Sequence, residues 1–195
     1  MELSEIKSCI EVYQDFITHC TKENFDDLFK DADYCDFISK NFKTFPTENL
    51  NLFLGINNSK LVGFLVNENV NYTDWTESTE VFESEFIAFS ALGYKTFKEY
   101  YEKKAIPDSD CAIDALEGFA RIEAWASKKE EWFSKHVTDR TLVKYFEIPS
   151  EDYANGQGNS FNLGLLPNNQ IDLIVGNPSG LYDFTRPVPP FEPKF

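Results

Sequence analysis

The chain predicts an α+β fold: a mainly antiparallel sheet of about five strands, containing two hairpins, covered by four to five helices. Three observations point there. Apolar residues recur at helical spacing in the first fifth and again in the middle of the chain. Two pairs of β-forming runs flank Asn-rich tetrapeptides, and 16% of the residues are aromatic, enough to fill a core.

Leu3, Ile6, Ile10, Tyr13, Ile17 and Cys20 recur in steps of three and four, which defines one face of a first helix capped by Ser4. Thr21 caps a second, with Phe25, Leu28, Phe29 and Ala32 on its apolar side and an end expected near Cys35. Leu50–Ile56 and Leu61–Val66 surround Asn57-Asn58-Ser59-Lys60 and read as a hairpin; their near-continuous apolarity predicts cover on both faces. Residues 67–79 are polar and read as a loop. Val81, Phe82, Phe86, Phe89 and Leu92 suggest a helix stopped by Gly93, and Thr96 with Glu99 suggests a capping box for another, ended by Pro107. From Asp108 to about His136 a long amphipathic helix is expected, with Glu117–Arg121 and Glu131–Lys135 as fourth-neighbour ion pairs. Thr141–Ile148 is a further strand, and Ser160–Leu166 with Ile171–Val175 a second hairpin around Pro167-Asn168-Asn169-Gln170. Residues 1–195 read as one domain with a Pro-rich, extended tail at about 177–195 that packs through Tyr182, Phe184, Phe191 and Phe195.

Charge narrows the function classes. The chain carries 33 Asp and Glu against 18 Lys and Arg, a net charge of -15. Residues 1–50 alone hold 11 acidic and 5 basic groups. Such a surface repels nucleic acid and anionic membranes and attracts cationic partners. The start of the chain lacks a basic segment followed by an apolar one, so a cytoplasmic protein is expected. Four scattered cysteines, Cys9, Cys20, Cys35 and Cys111, then read as free thiols. Under that reading the Asn57-Asn58-Ser59 and Asn71-Tyr72-Thr73 glycosylation patterns are accidental.

No motif specifies a reaction, a cofactor or a metal. His19 and His136 both fall near helix ends, where the dipole favours them without any catalytic role. The cysteines lack zinc spacing. Asp26 to Asp36 lacks the central Gly and closing Glu of an EF-hand loop. Glu83 with Glu85 is a pair that an acidic chain contains by chance. The Gly-rich Asn155–Asn159 precedes a strand rather than the helix a phosphate loop needs, and an acetyltransferase-like use of its glycines is only a fragmentary match.

Two stretches remain as candidate partner-binding surfaces. Asp26, Asp27, Asp31, Asp33 and Asp36 concentrate carboxylates, and Tyr72, Asp74, Trp75 and Glu77 place aromatic rings among polar groups. The alternative for Trp75 is a lid on the core. The expected function is a non-catalytic acidic protein that neutralises a basic protein partner, as small cytoplasmic immunity proteins block toxin enzymes. A nucleic-acid mimic that inhibits a DNA-binding protein is the second class, weakened by the 18 interspersed basic residues. An enzyme whose site is assembled from distant residues is the third; a pocket combining a histidine with a perturbed carboxylate would mark it.

Overall fold

The computed structural model describes residues 1–37, 49–67, 71–139, 142–154 and 157–188. It shows an α+β fold of four α-helices and two five-stranded antiparallel sheets. The helices are α1 (Leu3–His19), α2 (Lys22–Phe29), α3 (Ala91–Tyr101) and α4 (Ala115–Asp139). One sheet runs in the order β1 (Tyr34–Phe37), β7 (Asn159–Leu165), β8 (Ile171–Gly176), β9 (Leu181–Tyr182), β5 (Ala112–Ile113). The other runs β10 (Arg186–Val188), β6 (Tyr145–Ile148), β2 (Leu50–Asn57), β3 (Lys60–Asn67), β4 (Val81–Glu85).

Alternation along the strands sorts their side chains into layers. Leu52 and Leu54 of β2, Leu61 and Leu65 of β3, and Phe146 of β6 share one core with Phe161, Leu163, Leu173 and Val175 of the other sheet. The two sheets therefore face each other. Their outer faces are covered separately. Phe53, Phe64 and Tyr145 turn outward onto Ile6, Cys9 and Ile10 of α1, while Ile174 of β8 meets Phe119 and Ile122 of α4 and Tyr101 of α3. The apolar hairpin β2–β3 is thus covered on both faces, as its composition predicts. A single sheet covered on one side would leave half of those residues wet; a second sheet is what buries them.

Close approach fixes one glycine. A Cβ on Gly55 would lie 2.5 Å from the Phe64 ring and 3.2 Å from the Cys9 carbonyl carbon, so the α1 backbone rests where a side chain would stand. The β2–β3 turn has positive φ at both central residues, 49° at Asn58 and 64° at Ser59, the geometry that suits a right-twisted hairpin. Ser59 bears a steric penalty there that glycine would not. Ser59→Gly is expected to raise stability by roughly 0.5–1 kcal/mol, after allowing for the greater freedom of glycine in the unfolded chain. Urea unfolding checks this, and an unchanged or lower midpoint would count against the turn geometry.

Several local expectations change. α2 stops at Phe29 instead of continuing to Cys35, because α4 takes its terminal carbonyls. Lys129 Nζ donates to the Phe29 and Lys30 carbonyls at 2.7 and 3.0 Å, and Trp125 Nε1 to the Ala32 carbonyl at 2.9 Å. The chain then turns into β1, with Tyr34 opposite Asn162 and Phe37 opposite Asn159. Val81–Glu85 is the edge strand β4 rather than a helix; pairing with β3 satisfies its backbone and lets Phe82 reach the inner core. α3 begins after Ser90, whose Oγ accepts from the Gly93 amide at 3.0 Å, so Gly93 lies inside the helix and Thr96 mid-helix. α4 starts at Ala115; residues 112–113 before it pair with β9. In the tail, Arg186–Val188 is an edge strand on β6, with Pro187 opposite Phe146. Phe191, Phe195, Asn155, Gly156 and Thr141 lie outside the described residues.

Candidate functional site

The two acidic stretches occupy separate places. Asp26 sits on α2, 3.1 Å from Lys22 Nζ; Asp27 and Asp31 are exposed; Asp33 faces inward, its Oδ2 accepting the Phe89 amide at 3.0 Å. Asp36 is exposed on β1, but the surrounding protein displaces enough water to raise its carboxyl above the usual range. Lys22 stays exposed, but the cation on the α4 side is withdrawn from solvent: burial lowers the Lys129 ammonium, the surrounding Asp33, Asp31, Asp26 and Glu130 oppose that shift, and its protons point at the α2 carbonyls.

The second stretch is docked on α1. Lys7 Nζ donates to the carbonyls of Thr73 and Trp75 at 3.0 and 2.8 Å, tying the 72–75 turn to the helix. Trp75 is 3% exposed, edge-on to Phe53 at 5.1 Å. It is a lid on the core, and its expected presentation to a partner is corrected: the indole is large enough to complete the outer cover of the β2–β6 sheet, which α1 alone leaves open. Tyr72 is half-buried beside it, and Asp74 and Glu77 remain exposed. Glu11 lies near enough to Tyr72, and Glu5 and Glu83 near enough to Cys9, to add to the upward shift that burial gives those groups. Carboxylates of α1 and β4 therefore gather around the face on which the turn is docked.

The remaining sequence candidates stay apart. His19 ends α1 beside Asp15, and His136 packs on Trp132 with Nε2 3.3 Å from the Asn169 carbonyl. Glu85 pairs with Lys60 at 2.6 Å and Glu83 with the amino terminus at 3.7 Å. Cys9, Cys35 and Cys111 are buried free thiols, and Cys20 is a half-buried one. No group of three or more His, Cys, Asp or Glu able to hold a metal occurs among the described residues, and no helix there is long and apolar enough to cross a membrane.

A third place was visible in the sequence only as one surface ion pair. Arg121, 11% exposed, reaches from α4 across the outer face of the β7–β8 sheet. Its Nη1 donates to Asp172 Oδ2 at 2.8 Å and Asp183 Oδ2 at 2.6 Å, and its Nη2 to Glu117. Burial works against this charge, but the three carboxylates outweigh it and hold the guanidinium above its ordinary range. Asp172 is pushed up to about 6, chiefly by burial, with Arg121 opposing and Asp183 adding to the rise. The close approach is possible because β7 has Gly164 beneath the helix, where a Cβ would lie 3.3 Å from Arg121 Cβ.

Arg121 and Leu166 form a wall shared by two cavities. One, of about 460 Å³, lies between Gln170–Asp172 and the segment Asp183–Pro187; the other, of about 280 Å³, runs along α4 toward Lys128 and Asn169. The first has a perturbed carboxylate but no histidine on its walls. Beside Phe184, one of its lining residues, is Asp152, fully buried, with neither carboxyl oxygen within full hydrogen-bonding geometry of a described residue. Burial raises it to about 8; the nearby Phe184 amide offsets part of this, while Asp183, Glu151 and Asp172 add to it.

These features define a helix–sheet–sheet–helix protein with a mixed-charge cavity under its last strands and an acidic face on its first helix. No known protein-family model, curated protein or solved structure matches the chain.

Proposed function

We propose that this chain is a non-catalytic cytoplasmic protein that binds and neutralises a basic protein partner, in the manner of an immunity protein inhibiting a toxin enzyme. The observation that carries the reading is the internal use of two cations that border the acidic surfaces. Lys7 and Lys129 both donate to backbone carbonyls, so Asp27, Asp31, Asp74 and Glu77 face solvent beside cations that are already engaged. Such faces steer a cationic partner and place carboxylates where its anionic substrate would bind.

Two experiments test this. The tagged protein is purified from its native host at low and high salt; a stoichiometric basic protein lost at high salt, and inhibited when the two are recombined, is the expected result. In the variant Asp27→Lys/Asp31→Lys/Glu77→Lys, association should slow by roughly tenfold or more while thermal unfolding changes little. Asp33 is left intact because its bond to the Phe89 amide serves the fold. An unchanged association rate removes these faces from the interface, and recovery of the chain alone at both salts removes the partner.

A further inference from the structure

We propose that the 460 Å³ cavity beside Arg121 binds a small zwitterion, an ammonium and a carboxylate on a short apolar frame, of the α-amino-acid class. This goes beyond the partner-binding reading and does not depend on it.

The walls supply three kinds of contact. Asp183 gives only one carboxylate oxygen, Oδ2, to Arg121, so Oδ1 remains an acceptor for an ammonium. Around Arg121 three carboxylates face one guanidinium, which leaves negative charge in excess at this end. Arg186 lies on the same wall three residues further on; it stands opposite Glu147 in the β10–β6 pair yet makes no ion pair with a described residue, so its guanidinium is available to a ligand carboxylate. Between them Leu166, Ile171, Phe184 and Pro187 form an apolar lining; Phe184 is 48% exposed, a high value for a ring that serves no core. A concave apolar site with a few convergent polar groups is the usual form of a small-ligand site.

The Arg121 lattice makes these groups a built site rather than a chance meeting of surface chains. Asp172 and Arg121 are largely buried, Asp172 Oδ1 accepts the Leu173 amide at 2.9 Å, and Thr185 Oγ1 donates to the Leu173 carbonyl at 3.0 Å. Asp183 and the following residues are therefore held against β8 before any ligand arrives, which lowers the ordering penalty on binding.

Three probes with one carbon frame separate the contacts: L-leucine, isopentylamine and 4-methylpentanoate, each titrated into the full chain and followed by amide NMR. Leucine should give saturable shifts confined to residues 165–172 and 183–187. Each single-charge probe should bind roughly tenfold more weakly or worse, since each lacks one charge-assisted contact. Asp183→Asn should weaken leucine and isopentylamine but not 4-methylpentanoate; Arg186→Gln should do the reverse, weakening leucine and 4-methylpentanoate. Retained spectral dispersion shows that each variant folds, and the two variants test the site independently. No saturable shift with leucine, shifts spread over the whole acidic surface, or a single-charge probe binding as tightly as leucine would each overturn the proposal.

Discussion

Asp152→Asn should make the protein more stable at pH 8 by several kcal/mol while leaving it nearly unchanged near pH 4. The side chain is fully buried, and among the described residues the Phe184 amide eases its carboxylate only in part. Its folded value is about 8, against about 4 for an exposed Asp. Because the folded value is raised, the folded state holds this proton more tightly than the unfolded state does. The stabilisation is therefore complete below about pH 4 and is lost progressively as pH rises to about 8. Four units correspond to a loss on the order of 5 kcal/mol over that window. Asparagine keeps the shape and cannot ionise, so this part of the slope vanishes. Asp172, raised to about 6 by burial, contributes in the same direction over the lower half of the window and persists in the variant. Urea unfolding of both proteins from pH 4.5 to 8.5 makes the comparison; parallel profiles would show that Asp152 ionises as freely in the folded chain as in the unfolded one.

Nothing in the sequence marks Asp152. Its burial comes from later residues: Asn177 Nδ2 donates to the Asp152 carbonyl at 3.0 Å, and Phe184 lies beside the carboxyl. Long-range closure of this kind explains most of what was not legible. The inner strands β2, β3 and β8 are near-continuous apolar runs, and β6 and β7 keep apolar residues at alternate positions, so all five could be read directly. Four of the five strands that were missed, β1, β4, β5 and β10, are sheet edges. They are short or half-wet, and β4 alternates half-buried and exposed residues, so it has no apolar run to find. The Val81 to Leu92 stripe imitates a helix because Phe82, Phe86 and Phe89 are apolar for two different reasons: Phe82 and Phe86 reach the core between the sheets, and Phe89 stacks on Tyr34. The end of α2 was hidden because the groups that terminate it, Trp125 and Lys129, lie about a hundred residues away. For the site, one signal was present. Asp172 interrupts the apolar run Ile171–Val175, and a charge inside a covered strand requires a partner. Glu117–Arg121 was recognised as a helical pair, but its spacing alone said nothing of the two aspartates from the far side of the sheet.

Arg121→Met should destabilise the protein by about 3–5 kcal/mol at neutral pH, although it introduces a side chain of comparable length and greater hydrophobicity. An intact buried ion cluster contributes little net stability, because desolvation cancels much of its attraction. Removing one partner is another matter. Asp172 is 5% exposed, Asp183 lies close by, and both lose the guanidinium they share. The remaining charges then repel each other in a site that water reaches poorly. Protonation is the available relief: without Arg121, which holds Asp172 down at about 6 against burial, the carboxyl rises further, so the loss should shrink as pH falls towards 6 and change little below it. This dependence separates charge from packing. If methionine merely packed badly in the space of the guanidinium, the deficit would be the same at pH 5 and pH 7.5, whereas an uncompensated Asp172 produces a deficit that grows with pH. A second change supplies the control: Arg121→Met combined with Asp172→Asn should recover most of the stability at pH 7.5, because the buried charge is then absent on both sides. Failure of that double variant to recover would assign the role of Arg121 to its packing over Gly164 rather than to its charge.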